Sequence, residues 1–304
     1  MSNAWGIEYS EVPDENIKSW HKDFSINTKW FFIKPSQLFK NVVKRCEEDK
    51  EYASNINIKL LEIFKDIEDS ARWKDSEKDL SWLFRDIDLN SNKLWWVLKS
   101  RNELLVKLLQ NIRDLNLKFA NNTIDAFGDA YEYLISMYAA NAGKSWWEYF
   151  TPQEVSELLS KITTNWKTDI NNIYDPTCWS WSLLLKVSSE IEKNWQTNRS
   201  DLNFYWQEKN ATTYNLCRMN MFLHWISYNK FDIQNDDTLT HPKHLYLKWQ
   251  MDVIVSNPPY SINCEWSDNP SLVSDERFSE VVLAPKSKAD LAFVLHSLYM
   301  LSWK

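Results

Sequence analysis

From about Pro35 to Phe119 apolar residues recur three and four positions apart with charges on the opposite face, as in "SQLFKNVVKRCEE", "NINIKLLEIFKDIED" and "RNELLVKLLQNIRDLNLKF". That period is the signature of amphipathic helices. Almost no alternating strand pattern interrupts it, so residues 1–124 are expected to form a mainly helical region suited to packing or partner contact. Beyond Asp125 the pattern changes. "DAFGDAYEYLISMYAANAG" predicts a helix stopped at Gly143, and "TPQEVSELLSKI" a second one with Thr151 as cap and Pro152 as first helical residue. Short apolar runs then alternate with helices. "NNIYDPT", "DLNFYWQE", "KFDIQND" and "MDVIVSNPPY" predict strands, separated by the helical "SLLLKVSSEIEKN" and "NATTYNLCRMNMFLHWI". The succession implies an α/β fold with a mostly parallel, doubly wound sheet over residues 125–304. In such sheets a ligand crevice lies outside the carboxyl ends of the strands. Those ends carry Asp175, Glu208, Asp237 and Asn257.

Length and charge narrow the function classes. The chain has 304 residues, more than one typical domain, with 44% hydrophobic and 25% charged residues. No apolar run approaches the roughly 18 residues that a membrane span needs, and no basic-then-apolar leader opens the chain, so a cytoplasmic protein without a membrane partner is expected. A net charge of −7 argues against gripping nucleic acid by bulk electrostatics, although a partner subunit can supply that grip. Cys46, Cys178, Cys217 and Cys264 form no CxxC pair, so neither a metal site nor a disulfide framework is expected. His241 and His244, in "LTHPKHLYLK", are expected to be surface or loop residues.

The stretch that carries chemistry is "DVIVSNPPYS", residues 252–261. A buried strand runs into Asn257-Pro258-Pro259-Tyr260, a turn that cannot extend the ladder because neither proline has a donor. A turn without chemistry is the plain alternative. The functional reading rests on a property of exocyclic amines on bases or amides, whose delocalised lone pair makes them poor nucleophiles. A fixed Asn257 oxygen and the backbone carbonyl of Pro258 can accept both amine hydrogens and localise that lone pair, while Tyr260 stacks on the planar group. Rigid prolines hold the acceptors in place beforehand.

With these residues the chain resembles the amino-methylating S-adenosylmethionine-dependent methyltransferases, whose signature is Asp/Asn/Ser-Pro-Pro-aromatic. More narrowly, it resembles the modification subunits of type I restriction-modification systems. The likeness runs from about residue 27 to the end, through "FFIKPSQLF", "LFRDIDLNSNKL", "GDAYEYLISMYA", "EYFTPQEVSELL", "IYDPTC", "QEKNATTYNLCRMNMFLH", "DDTL", "SNPPYS" and "LAPKSKADLAFVLHSLYML". The resemblance implies that Glu148, Tyr149, Phe150, Thr151, Pro152 and Gln153 pack over the methionine end of S-adenosyl-L-methionine. It places Asp175, Pro176, Thr177, Cys178, Trp179, Ser180, Trp181 and Ser182 in the cofactor loop, Glu208 on the ribose hydroxyls, Asp237 near the adenine and Asn257 to Tyr260 on the target amine. Asp236 is the less favoured neighbour of Asp237.

The implied reaction is methylation of adenine N6 in DNA, with the base flipped out of the duplex. The implied partners are DNA, a specificity subunit that chooses the site and a restriction subunit, with two modification subunits per specificity subunit. Two other readings stay open: a protein glutamine methyltransferase, which uses the same motif on the same sheet, and a catalytically inactive assembly component. The second is motivated by an expected truncation, since the family continues beyond the position of Lys304 into further strands. It is also motivated by an abnormal composition. Glycine occurs 3 times, where average usage would give roughly 21, and tryptophan 18 times. Trp30, Trp82, Trp146, Trp147, Trp179, Trp181, Trp206, Trp225 and Trp249 fall where the family pattern usually or often has glycine. A glycine codon rendered as tryptophan would account for this, whereas Cys264, where relatives tend to have tryptophan, lies outside that pattern.

Overall fold

The computed structural model describes residues 8–94, 96–114, 151, 153–165, 167, 169–178, 182–195, 201–224, 226–259, 270–279 and 289–303. The chain divides into two compact units, Met1–Asn122 and Thr123–Lys304.

The first unit is helical: α1 (Ser19–Lys29), α2 (Phe39–Glu48), α3 (Lys50–Ser54), α4 (Ile56–Ser70), α5 (Glu77–Leu80) and α6 (Leu98–Asp114), with no strand among its described residues. The apolar stripes visible in the sequence meet in one core built from Val42 and Cys46 of α2, Tyr52 of α3, Ile56 and Ile63 of α4 and Leu105 of α6. Burying each large aliphatic side chain there contributes about 1.5–3 kcal/mol. Asp49 separates α2 from α3 and starts the latter, its carboxylate accepting the backbone N–H groups of Glu51 at 2.9 Å and Tyr52 at 3.0 Å. A polar link crosses the same core. Asn102 accepts the Asn57 N–H at 3.3 Å and donates to the Ser54 carbonyl, and Asn57 donates to Asn90 at 2.6 Å.

The second unit carries a four-stranded sheet in the order β3-β2-β1-β4, with β1 (Asn172–Asp175), β2 (Asn203–Glu208), β3 (Phe231–Asn235) and β4 (Val253–Ile254). Every pairing is parallel, with Ile173 opposite both Phe204 and Val253, and Trp206 opposite Ile233. Around it stand α7 (Gln153–Thr164), α8 (Ser182–Trp195), α9 (Ala211–Leu223), α10 (Pro270–Val273) and α11 (Asp290–Met300). A strand buried on both faces reads as a continuous apolar run. Accordingly Ile173, Phe204, Trp206 and Ile233 pack with Leu184, Val187 and Ile191 of α8 and Met221 of α9, while Tyr174 packs on the opposite face with Met251 and Met300.

All four predicted strands form, as do the helices between the first three. The fourth is shorter than its apolar run suggests. Ladder pairing ends at Ile254, and the Val255 N–H makes one more bond, 3.1 Å to the Tyr174 carbonyl, before Ser256-Asn257-Pro258-Pro259 leaves the sheet. Two prolines without N–H groups enforce that exit. Helix α7 begins at Gln153, while Pro152, expected from "TPQEV" as its first residue, and the helix expected over 125–143 lie outside the described residues. Among the described residues no helix is long and apolar enough to cross a membrane.

Four described non-glycine residues have left-handed backbone: Trp30 (φ 71°), Trp73 (φ 64°), Trp82 (φ 60°) and Trp249 (φ 61°).

Candidate functional site

The chain leaves β1 towards β2 and β3 and returns later to add β4 on the other side of β1. This reversal opens a crevice at the carboxyl ends of β1 and β4. Asp175-Pro176-Thr177-Cys178 leaves β1 there, and Ser256-Asn257-Pro258-Pro259 leaves β4 beside it. The two exits are joined directly, because the Thr177 and Ser256 hydroxyls lie 2.6 Å apart. A third loop, after β3, is joined to the first by the Thr238 hydroxyl, which donates to the Pro176 carbonyl at 2.6 Å. Glu208, at the end of β2, neighbours this loop through Asn235, whose amide donates to the Glu208 carbonyl at 2.8 Å.

The strand-end carboxylates differ sharply in environment. Asp175 is buried and accepts the Thr177 N–H at 2.9 Å. Burial, reinforced by the nearby charge of Glu208, pushes its carboxyl up to about 7 despite that hydrogen bond. Burial likewise raises Glu208 to about 7, against the pull of the Asn210 N–H that it accepts at 2.6 Å. Among the described residues neither is paired with a Lys or Arg side chain. Asp237 behaves differently. Burial alone would raise it, but Lys209 at 2.8 Å and the N–H groups of Leu239 and Thr240, at 2.9 and 3.2 Å, hold it below its ordinary value. Asp236 is ion-paired with Lys243 at 2.8 Å, which lowers its carboxyl too. Two desolvated carboxylates without a Lys or Arg partner among the described residues suit a ligand that carries positive charge and hydroxyl donors.

Beneath the crevice a buried polar chain holds the third loop in place. Arg277 donates to the Thr238 carbonyl at 2.9 Å and the Leu239 carbonyl at 2.6 Å, and is bound by Asp275 at 2.7 Å. It also approaches His296 Nδ1 at 2.9 Å, and His296 Nε2 lies 2.8 Å from the Tyr174 hydroxyl. Guanidinium groups only donate, so Nδ1 accepts and Nε2–H points at the tyrosine oxygen. Burial first, then the Arg277 charge, lowers His296 to about 3, which keeps the ring neutral.

Of the residues singled out from sequence, the structure brings Asp175, Pro176, Thr177 and Cys178 together with Asn257, Pro258 and Pro259, and lines the same edge with Glu208 and Asp237. Asp237 stands two residues past β3 rather than at its end. Thr151 stands two positions before Gln153, the first residue of α7. Glu148, Tyr149, Phe150, Pro152, Trp179, Ser180, Trp181 and Tyr260, with the side chains of Gln153 and Ser182, lie outside the described residues. His241 is exposed as expected, but His244, although in a loop, is buried against the Tyr174 and Tyr205 rings at 5.7 Å, with Asp232 at 3.3 Å. Cys46, Cys178 and Cys217 are buried free thiols, and Cys178 and Cys217 approach to 3.8 Å between sulfurs although 39 positions separate them. Sequence reasoning missed Ser256, Thr238, Arg277 and His296. Only Ser256 carries a local signal, its place immediately before Asn-Pro-Pro-Tyr.

These features match known proteins. The family model described as N-6 DNA methylase matches residues 122–304. The chain is 49% identical over 290 residues to the type I restriction enzyme MpnII methylase subunit of Mycoplasma pneumoniae, covering 92% of this chain and 53% of that protein. It is 33% identical over 178 residues to the HindI methylase subunit of Haemophilus influenzae, covering 59% of this chain and 38% of that one. The solved type I restriction-modification system methyltransferase subunit from Streptococcus thermophilus superposes with a TM-score of 0.79 at 32% identity, covering 94% of this chain and 58% of its own. The chain thus spans about half the length, or less, of these relatives. A parallel sheet whose β1 and β4 exits carry Asp-Pro and Asn-Pro-Pro, together with the match over residues 122–304, shows that the chain belongs to the N-6 DNA methylase family.

Proposed function

We propose that this chain carries the methyl-transfer core of a type I modification subunit, moving a methyl group from S-adenosyl-L-methionine to the exocyclic N6 of adenine in DNA. The observation that carries this reading is the Thr177–Ser256 contact at 2.6 Å, which seats the Asp-Pro loop of β1 against the Asn-Pro-Pro exit of β4. A donor bound on the first loop and an amine held by the second then share one crevice. Bound S-adenosylmethionine supplies an electrophilic methyl group on a sulfonium.

The chain's own residues position the acceptor and the donor. The Asn257 side-chain oxygen and the Pro258 carbonyl accept the two amine hydrogens, drawing the lone pair out of conjugation and towards the methyl carbon. Tyr260 stacks on the flipped base, and the amine loses a proton to water after transfer. No side chain has to act as a strong base. Asp175 and Glu208 bind the positively charged and ribose ends of the donor, Asp237 lies near its adenine, and residues 148–153 cover its methionine end together with the loop 176–182.

The partners follow from the same reading. A chain with net charge −7 needs other surfaces to hold DNA. We assign that role to a specificity subunit, with two modification subunits bound to each and a restriction subunit completing the complex. Residues 1–124 are the docking region and residues 125–304 the methyl-transfer core. Two experiments test the reading. Tritium from labelled S-adenosylmethionine is expected in DNA and not in protein when the chain is assembled with its specificity subunit. Deleting residues 35–119 is expected to abolish co-purification with that subunit. Label in protein glutamine, or none in either, overturns the assignment.

A further inference from the structure

The left-handed backbone positions have one property in common: all four are tryptophan. Left-handed backbone brings the Cβ of an L-residue against its neighbouring carbonyl, so bulky side chains avoid it and glycine, with no Cβ, takes it routinely. Asn and Asp are the side chains that tolerate it best. Neither occupies any of the four sites, although both are plentiful in the chain.

Local geometry at these sites asks for glycine. Trp30 follows α1, and its N–H returns 2.8 Å to the Ile26 carbonyl, the arrangement by which a left-handed residue ends a helix. Trp82 comes two residues after α5, Trp73 lies in the turn between α4 and α5, and Trp249 precedes the bridge residue Met251. Packing does not explain three of the indoles either, since Trp73 is 88% exposed, Trp82 67% and Trp249 53%, whereas Trp30 is buried. Strained backbone is tolerated at functional sites when a ligand or mechanism needs it. None of the four stands at the carboxyl end of a strand in the crevice.

We propose that the source organism inserts glycine at positions 30, 73, 82 and 249, through a codon that it reads as glycine and that is represented in this chain as tryptophan. Composition agrees independently. The shortfall of about 18 glycines against average usage equals the 18 tryptophans present. The resemblance stated from the sequence implies glycine at positions 30, 82 and 249 as well. Trp73 is identified by its backbone alone. Extended to the cofactor loop, the same reassignment turns Asp175-Pro-Thr-Cys-Trp-Ser-Trp181 into an Asp-Pro-x-x-Gly-x-Gly turn, in which backbone can approach a ligand closely. That extension rests on the proposed function, whereas the four left-handed sites do not. It also removes three of the large exposed aromatic side chains as candidates for a partner surface.

The experiment is tandem mass spectrometry of peptides from the protein isolated from its source cells. Peptides spanning positions 30, 73, 82 and 249 are expected to carry glycine, each lighter by the difference between a tryptophan and a glycine residue. Tryptophan at all four positions overturns the proposal. A second measurement separates it from the reading of function: retention of labelled S-adenosylmethionine is expected to be stronger in the W179G/W181G chain than in the chain as written. Glycine in the peptides without retention upholds the codon inference and refutes the methyl-donor site instead.

Discussion

Replacing Trp73 and Trp82 by glycine removes two side chains from left-handed backbone in the helical unit, at φ 64° and 60°. Both indoles are largely in water, so little apolar burial is lost. A residue with a Cβ loses about 1–2 kcal/mol in this conformation. Glycine gives back about 0.5–1 kcal/mol of that gain, because its unfolded chain is freer. Trp82 also stands 5.8 Å from the Arg85 guanidinium, a contact worth about 0.5 kcal/mol at an exposed site. The double variant W73G/W82G is therefore expected to stabilise the unit, Met1–Asn122, by about 1 kcal/mol, a rise of about 4 °C in Tm for a domain of this size. Thermal unfolding followed by circular dichroism or calorimetry reads the shift. The informative control is W73A/W82A, which deletes both indoles but keeps a Cβ on left-handed backbone and should gain nothing. Equal melting temperatures for the glycine and alanine pairs would refute the strain argument, because exposure of the indole alone would then set the effect.

Four further outcomes are expected. Asp175 is raised from an ordinary 3.8 to about 7 in the fold, so its contribution to stability is full below about pH 4 and lost as pH rises through 7, by up to roughly 4 kcal/mol. D175N should accordingly raise Tm at pH 8 and leave it nearly unchanged at pH 4, while abolishing retention of S-adenosylmethionine in filter binding. Because Asp175 and Glu208 share this elevation, cofactor binding near pH 6.5 should release protons, seen as a calorimetric heat that varies with the ionisation enthalpy of the buffer. N257A should lower methyl transfer to DNA by about 10²–10³-fold with cofactor retention intact, in line with the loss of one fixed acceptor at a reacting centre. R277A should destabilise by about 3–5 kcal/mol by leaving Asp275 and two loop carbonyls unmatched, and R277K should not restore it, because one ammonium cannot span Thr238, Leu239 and Asp275.

The sequence by itself determined the parts of this protein that depend on local pattern. Three- and four-residue spacing in "NVVKRC" and "IKLLEIF" is enough to make helices, because an amphipathic stripe has to be buried somewhere. The apolar runs before Asp175, Glu208 and Asn257 are enough to make buried parallel strands ending in polar groups. Asn-Pro-Pro-Tyr marked the candidate site, since prolines compel a chain to leave a sheet wherever they fall. Tertiary structure decided what lies between distant positions. Order in the sheet put β4 beside β1, so Thr177 meets Ser256 across 79 positions, and the same order buries Asp175 beside Glu208 and lifts both carboxyls. No local pattern announces that Arg277, in an ordinary polar turn, will hold the loop after β3, or that His244 will be buried while His241 is exposed. Backbone conformation settled the remaining question. Tryptophan abundance was legible in composition, but that the indoles at 30, 73, 82 and 249 sit on left-handed backbone follows only from φ, a property that the fold imposes and a side chain with a Cβ resists.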